Sequence, residues 1–422
     1  MRIHLAYGEQ GLFLNLAENI DVLKAKSYPG VVNEADEIRA ALRKPIGSLA
    51  LSDRVKPGYK VVVTHSDITR ATPNERILPI LLCELEEAGV MRQNITLINA
   101  LGTHRPQTDM ELRRMLGSDI VDKYNCVQHD AFDDSTLVSF GVTSLGNPVR
   151  LNHYLQEADL VILTGFIEPH FFAGFSGGPK GVLPALAGYE SVATNHSAKM
   201  ISHPNATWGC NEGNPVWEEM RECALMLPNT FLLNVTMNEA REITGVFAGD
   251  IILAHQQGTA FIRKNAMVAV KKPYDIVITT NSGYPLDQNL YQAIKGVSAA
   301  SRVVRDGGAV IMAAACADGL PDDSGYANLL SAFNSPSEVL QKILTPGFSE
   351  PDQWTVQIQA QIQLRADVFI YSDGLSKNKI RQALLLPVGD IEKELEYLKT
   401  RYGNRICVIP EGPQTIAYLE HS

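Results

Sequence analysis

Three short stretches place histidine beside a cation and a hydroxyl or glycine, a mixture suited to proton transfer and anion binding. The first is Thr64-His65-Ser66-Asp67-Ile68-Thr69-Arg70, followed by Ala71-Thr72-Pro73-Asn74 and a helical pattern. Hydroxyls and N–H groups at a helix start suit a phosphate, and the planar fork of Arg70 suits a carboxylate. Ordinary capping by Thr72 or Asn74, with Arg70 on the surface, is the plainer alternative. The second stretch, Gly102-Thr103-His104-Arg105-Pro106, sets a histidine just past an apolar run. The third, residues 165–200, gathers His170, Lys180 and His196 around a glycine cluster that includes Ser176-Gly177-Gly178. Glycine lets backbone N–H groups approach an anion closely. A lysine there serves either as a phosphate counter-ion or as a covalent anchor, and the histidines as bases or metal ligands. His129, His153, His203 and His255 have no such setting.

A fourth cluster lies far along the chain. Tyr291 and Lys295 stand four residues apart and share a helix face, with Gln292 between them. Lys295 and Gln292 are suited to a carboxylate across a cleft; a solvated helix face is the plain alternative.

Standard motifs do not absorb these residues. Residues 174–181 fail as a Walker A loop, because Pro179 and Gly181 occupy positions that need glycine and a magnesium-binding hydroxyl. No Gly-x-Gly-x-x-Gly follows a strand, and neither His-Glu-x-x-His nor Gly-x-Ser-x-Gly occurs.

The elements around the clusters read as an α/β chain with mostly parallel sheets. Val61–Val63, Ile95–Ile98 and Leu160–Leu163 are short apolar strands, each leading into one of the three polar stretches. Helical spacing covers Asn74–Gly89 and Asp109–Leu116, with Gly89 as the C-terminal stop. Pro215–Leu227 reads as a short helix, Phe231–Val235 as a strand and Ile251–Val270 as a long helix ending before Pro273. The alternation then restarts, with strands at Asp275–Thr279, Ala309–Ala315, Val368–Tyr371 and Arg405–Ile409. Helices fall at Asn289–Arg305, Pro336–Leu344, Gln353–Leu364 and Ile391–Tyr402. Two domains are expected, 1–272 and 273–422, since 422 residues exceed one ordinary core. Ligands of open parallel sheets bind beyond the strands' carboxyl ends, where the three polar stretches fall.

Composition narrows the partners. With 45% hydrophobic and 20% charged residues the chain reads as globular, and a net charge of -10 argues against nucleic acid. No run approaches the roughly 18 apolar residues that span a bilayer, and the start lacks a signal-peptide core. The six cysteines form no C-x-x-C pair and read as free thiols in a reducing cytoplasm.

Taken in order, the chain resembles the nickel-pincer lactate racemase family. The shared pattern is Ser-Asp-x-Thr-Arg, Gly-Thr-His-Arg, Glu-Pro-His-x-x-x-Gly-x-Ser-Gly-Gly-x-Lys, Asn-His and Tyr-Gln-x-x-Lys. The resemblance implies a racemase or epimerase that inverts C2 of a 2-hydroxy acid, lactate by default, in an interdomain cleft. It implies a covalent cofactor on Lys180, nickel(II) pyridinium-3,5-bisthiocarboxylate mononucleotide, with His196 completing the nickel coordination. His104 and His170 match the acid–base histidines. Asp67, Ile68, Thr69 and Arg70 match the loop that holds the nucleotide, and Ser176, Gly177 and Gly178 the glycine-rich cradle. Arg70, Tyr291, Gln292 and Lys295 match substrate contacts, and Trp354 corresponds more loosely to a cleft tryptophan. Cofactor maturation enzymes are the implied partners. The competing expectation is a hydrolase or transferase acting on a phosphorylated small molecule with a phosphate loop or a His-bound zinc.

Overall fold

The computed structural model describes residues 1–320 and 324–420. Two six-stranded sheets carry the architecture. The first runs, edge to edge, Ile243–Gly249, Thr230–Met237, Leu160–Phe166, Val61–Ser66, Ile95–Ala100 and Asn125–Gln128. All neighbours are parallel except the antiparallel pair at the Ile243–Gly249 edge. The second sheet is parallel throughout: Leu386–Val388, Ala366–Tyr371, Val304–Ala313, Tyr274–Thr280, Ile406–Ile409 and Asp21–Val22. Parallel sheets need both faces covered, which explains the unbroken apolar runs of their strands. Leu160–Phe166 is buried at all seven positions.

Helices close the faces through spaced apolar residues. In Asn74–Glu87 the buried side chains Ile77, Leu78, Leu81, Leu82 and Leu85 repeat at helical spacing and join the core under Val61, Val63, Ile95 and Leu97. Each such burial is worth about 1.5–3 kcal/mol. The helix stops at the Ala88–Gly89 step, where Gly89 has φ +92° and Val90 N–H returns to Leu85 O at 3.0 Å. Thr72 does not cap this helix: its hydroxyl donates to Ser66 Oγ at 2.9 Å, pinning the polar loop instead.

The structure departs from the sequence expectation at several junctions. The helix expected over 251–270 is Leu253–Ala266, and Met267–Val270 is a strand paired in parallel with Ile416–Leu419. Its Met-Val-Ala-Val sequence suits a strand, and the partner that makes it one is about 150 residues away. The expected helix 289–305 ends at Ser301, and the following strand begins at Val304, opposite Tyr274. Asn125–Gln128, Ile243–Gly249 and two hairpins, Arg2–Leu5 with Leu12–Asn15 and Leu137–Val142 with Pro148–Asn152, lack an apolar run long enough to announce them. Sheet membership also crosses the division at residue 273. Asp21–Val22 pairs with Cys407–Val408 in the second sheet, and Ile3, Leu5 and Leu14 pack with Ile276, Ile278 and Val408. All six cysteines are free. Among the described residues no helix is long and apolar enough to cross a membrane.

Candidate active site

The three polar stretches converge because the strands before them are neighbours in one sheet. Val61–Ser66 delivers Asp67 and Arg70, Ile95–Ala100 delivers His104, and Leu160–Phe166 delivers Glu168, His170 and Lys180, all past the carboxyl ends. Opposite them stands the helix Leu290–Ser301, begun by the Asn289 side chain accepting from Gln292 N at 3.0 Å. Gly296 lets this helix lie on the second sheet, since a Cβ there would sit 2.3 Å from Thr280 O. That approach turns Tyr291, Gln292 and Lys295 toward the strand-end loops. A cleft lies between the walls, lined from the first half by Asp67, Arg70, His104, Glu168, His170, Ser176, Gly177, Lys180 and His196. Tyr291, Gln292, Lys295 and Trp354 line it from the second.

Within the cleft the two histidines are held differently. His104 Nδ1 is hydrogen-bonded to Asp67 Oδ2, and Asp67 also accepts from Thr69 N at 3.0 Å and Thr69 Oγ1 at 2.7 Å. Burial by itself would raise the Asp67 carboxyl; His104, Arg70 and Thr69 outweigh it and hold the group ionised. His170 lies in a small hairpin, Pro169–His170 against Gly174–Phe175, and its Nδ1 accepts from Ala173 N at 3.2 Å and Phe172 N at 3.5 Å. Burial, followed by Lys180, Lys295, Arg70 and His196, pushes His170 well below its ordinary value.

Positive charge is concentrated and desolvated here. Lys180 is pulled from its ordinary 10.5 to about 7, first by burial and then by Arg70, with Glu168 opposing. Lys295 is lowered well below its usual range by burial, Arg70 and Lys180, again against Glu168. Arg70 Nη1 is buried without a hydrogen bond and faces Glu168 Oε1 at 3.9 Å. Such a cluster attracts an anion and leaves Lys180 an available amine near neutral pH.

His196 ends the helix Tyr189–Asn195, whose terminal Asn195 donates to Glu219 at 2.8 Å. The His196 ring stands edge-on to Phe172, with centroids 4.9 Å apart, and to Trp354 at 5.0 Å. Its Nδ1 is buried without a hydrogen-bond partner, and burial followed by Lys180 keeps the ring neutral. A neutral, otherwise unengaged imidazole is a competent metal donor. Among the described residues no group of three or more His, Cys, Asp or Glu side chains stands ready to hold a metal. The neutral-leaning Lys180, the unengaged His196 Nδ1 and the unpaired Arg70 Nη1 fit an anionic, lysine-linked metal cofactor.

Three expected residues stand outside the cleft wall. Ile68 is buried in the core beneath the first sheet, and Thr69 spends its hydroxyl on Asp67. Gly178 donates its N–H to Asn234 Oδ1 at 2.8 Å and lies against His255. Ser176 lines the wall, but its hydroxyl is consumed within the loop, donating to Phe166 O at 2.7 Å and accepting from Glu168 N at 2.9 Å. Several contributors carried little sequence signal. Glu168 was visible only as part of Glu-Pro-His. Phe172, at 4.6 Å from the His170 ring and beneath the Lys180 ammonium at 5.8 Å, looks like any core phenylalanine. His255 shapes the glycine loop from behind through Nε2 to Ser176 O at 2.9 Å.

This arrangement matches known proteins along nearly the whole chain. Residues 7–209 match the lactate racemase N-terminal domain and residues 269–417 the lactate racemase C-terminal domain. The chain belongs to the lactate racemase family. It is 36% identical to the lactate racemase of Thermoanaerobacterium thermosaccharolyticum over 422 residues, 98% of each chain. To the lactate racemase of Lactiplantibacillus plantarum it is 38% identical, covering 93% of this chain and 92% of that one. The structure of the Thermoanaerobacterium lactate racemase apoprotein superposes with a TM-score of 0.90 at 35% identity, covering 99% of this chain and 100% of the other. A Thermotoga maritima protein shares the fold at a TM-score of 0.74 and 20% identity, covering 93% and 100%. Membership in the lactate racemase family makes this chain an isomerase of the racemase class.

Proposed function

We propose that the chain racemises or epimerises a small 2-hydroxy acid, lactate by default, using a nickel-pincer nucleotide attached to Lys180. The observation that carries this reading is one cleft holding a neutral-leaning lysine, an unengaged histidine and two further histidines among carboxylate-binding cations. When bound, the cofactor supplies a hydride acceptor, which the side chains themselves lack. Lys180 is its anchor, since only a neutral amine is acylated, and His196 offers the imidazole donor to nickel. Asp67, Arg70, Ser176 and Gly177 line the surrounding cradle, and Ile68, Thr69 and Gly178 support those loops from outside the cleft wall.

Losing a C2 proton beside a carboxylate is hard, so oxidation and re-reduction is the easier route to inversion. Arg70 and Lys295 hold the substrate carboxylate, with Gln292 and Tyr291 beside it. His104 and His170 handle the hydroxyl proton within reach of that carboxylate. Burial excludes water, which would otherwise intercept the 2-oxo acid before reduction. Loading depends on separate maturation enzymes, and the site of action is the cytoplasm.

The test is intact mass and metal content after co-production with those enzymes, then racemisation assays on a panel of chiral 2-hydroxy acids. Lys180→Ala should carry no covalent adduct. An adduct that persists in this variant, or a loaded wild type inert toward every acid tried, overturns the reading.

A further inference from the structure

A second chamber lies beside the cleft. Glu168 lines the cleft, Gln414 lines the chamber and Phe166 lines both, so the Gln414–Glu168 hydrogen bond and Phe166 form the partition. The chamber's position follows from topology. In the second sheet Tyr274–Thr280 lies between Val304–Ala313 and Ile406–Ile409. The chain leaves Tyr274–Thr280 through Leu290–Ser301, which shares a core with Val277, Val310 and Met312. It enters Ile406–Ile409 from Ile391–Tyr402, which shares the opposite core with Ile276, Ile278 and Ile311. An open parallel sheet forms a ligand crevice where its connections diverge in this way, beyond the carboxyl ends of the two strands. Glu411 and Thr415 follow the carboxyl end of Ile406–Ile409 and line the chamber.

This lining carries unmet polar demand. Thr415 is 1% exposed, and its Oγ1 has no hydrogen-bond partner. A buried hydroxyl in that state costs about 1–3 kcal/mol until a partner arrives. Arg241 donates only to carbonyls, Ser282 O at 3.2 Å and Tyr284 O at 3.3 Å. Among the described residues neither Arg241 nor Lys24 and Lys26, exposed in the same lining, forms an ion pair. Against these three cations stand Glu239 and Glu411. Burial pushes Glu411 up to about 7; Ser282, Arg241 and Lys24 oppose the rise, and Glu239 adds to it. The rest of the wall is apolar. Tyr28 stacks on Phe261 with ring centroids 4.5 Å apart, and Met237 and Ile262 complete the surface.

We infer that this chamber is a second ligand site, which takes a small carboxylic acid with an aromatic body. The planar fork of Arg241 matches a carboxylate, with Lys24 and Lys26 adding charge. The aromatic body lies on the Tyr28–Phe261 surface. Thr415 Oγ1 and a protonated Glu411 donate to the carboxylate lone pairs that remain. Inorganic phosphate would meet the same cations and leave the apolar wall uncovered. None of these ligand contacts comes from the cleft wall, so the inference stands apart from the racemase reading.

Phenylacetate is the probe, titrated into full-length apoprotein carrying 13C-methyl methionine. The Met237 resonance, assigned with Met237→Leu, should shift saturably. Calorimetry should show affinity falling about 10–100-fold in Arg241→Gln and about 2–10-fold in Thr415→Val, with Lys295→Gln unchanged. The Thr415 hydroxyl bonds nothing in the fold, so Thr415→Val keeps the protein folded and its loss reports the ligand alone. Inorganic phosphate should bind at least about 10-fold more weakly than phenylacetate. Near pH 7 a carboxylate beside Glu411 raises it further, so binding should take up a fraction of a proton, and Glu411→Gln should abolish that uptake. Uptake that survives in Glu411→Gln, or affinity lost in Lys295→Gln and kept in Thr415→Val, would place the acid beside Lys180 in the cleft and overturn the inference. So would phosphate binding as tightly as phenylacetate, or a Met237 resonance that stays put at millimolar acid.

Discussion

Gln414 donates its side-chain amide to Glu168 Oε2 at 2.8 Å, so the segment following the Ile406–Ile409 strand of the second sheet buttresses a carboxylate that faces Arg70 at 3.9 Å. The bond ties the two halves together behind the cleft. Gln414→Ala should destabilise the protein by about 1–2 kcal/mol in urea unfolding and weaken binding of a 2-hydroxy acid, measured as a higher KM. An unchanged KM would show that Arg70 is placed without this buttress.

Lys180 offers a pH test. An amine attacks only when neutral, so labelling of Lys180 by a small uncharged acylating reagent should be half-maximal near pH 7, where its value lies. Urea-unfolded protein should reach that rate only toward the ordinary 10.5. The stability sign follows from the same shift. Between these two values the unfolded chain binds the extra proton, so stability gains from this group as pH rises through the window. Lys180→Met should therefore be most stabilising relative to wild-type apoprotein below pH 7, with its advantage shrinking above. Site-resolved mass spectrometry and pH-dependent denaturation check the two halves of the claim.

Trp354 bridges both walls, donating Nε1–H to Tyr291 Oη at 2.9 Å while its ring meets His196. Trp354→Phe removes the hydrogen bond and keeps an aromatic ring. It should raise KM with little change in nickel per chain, whereas His196→Ala should lower nickel content directly. Metal analysis of loaded protein separates the outcomes, and a large nickel loss in Trp354→Phe would contradict the assignment.

Gly178 has φ +53°, and a Cβ there would lie 2.5 Å from the His255 ring. Gly178→Ala should cost about 1–3 kcal/mol through backbone strain and that clash. Pairing it with His255→Ala should recover part of the loss. Denaturation of the single and double variants checks this, and additive losses would argue against the contact.

What was legible in the sequence was local. Strand-then-polar-loop order placed His104, His170, Lys180 and Arg70 at strand ends, and the parallel order of the sheet did the rest. The Tyr291–Lys295 spacing announced one helix face, and the structure shows which wall it meets. Long-range pairing was not legible. Nothing in Met267–Val270 announces a partner at Ile416–Leu419, so a helix pattern ran through it. Nor does Asp67 declare by its position that it faces His104 rather than a ligand. That requires knowing that residues 67 and 104 follow adjacent strands.

The exchange of segments across the chain has a consequence for synthesis. Asp21–Val22 finds its neighbour only when Cys407–Val408 exists, Met267–Val270 only when Ile416–Leu419 does, and Glu168 gains its support only with Gln414. A growing polypeptide therefore holds an unfinished second sheet and an unbuttressed cleft until residues 406–419 have joined the fold. Lys180 thus lies in a complete cleft only once these distant segments have joined the two halves of the fold.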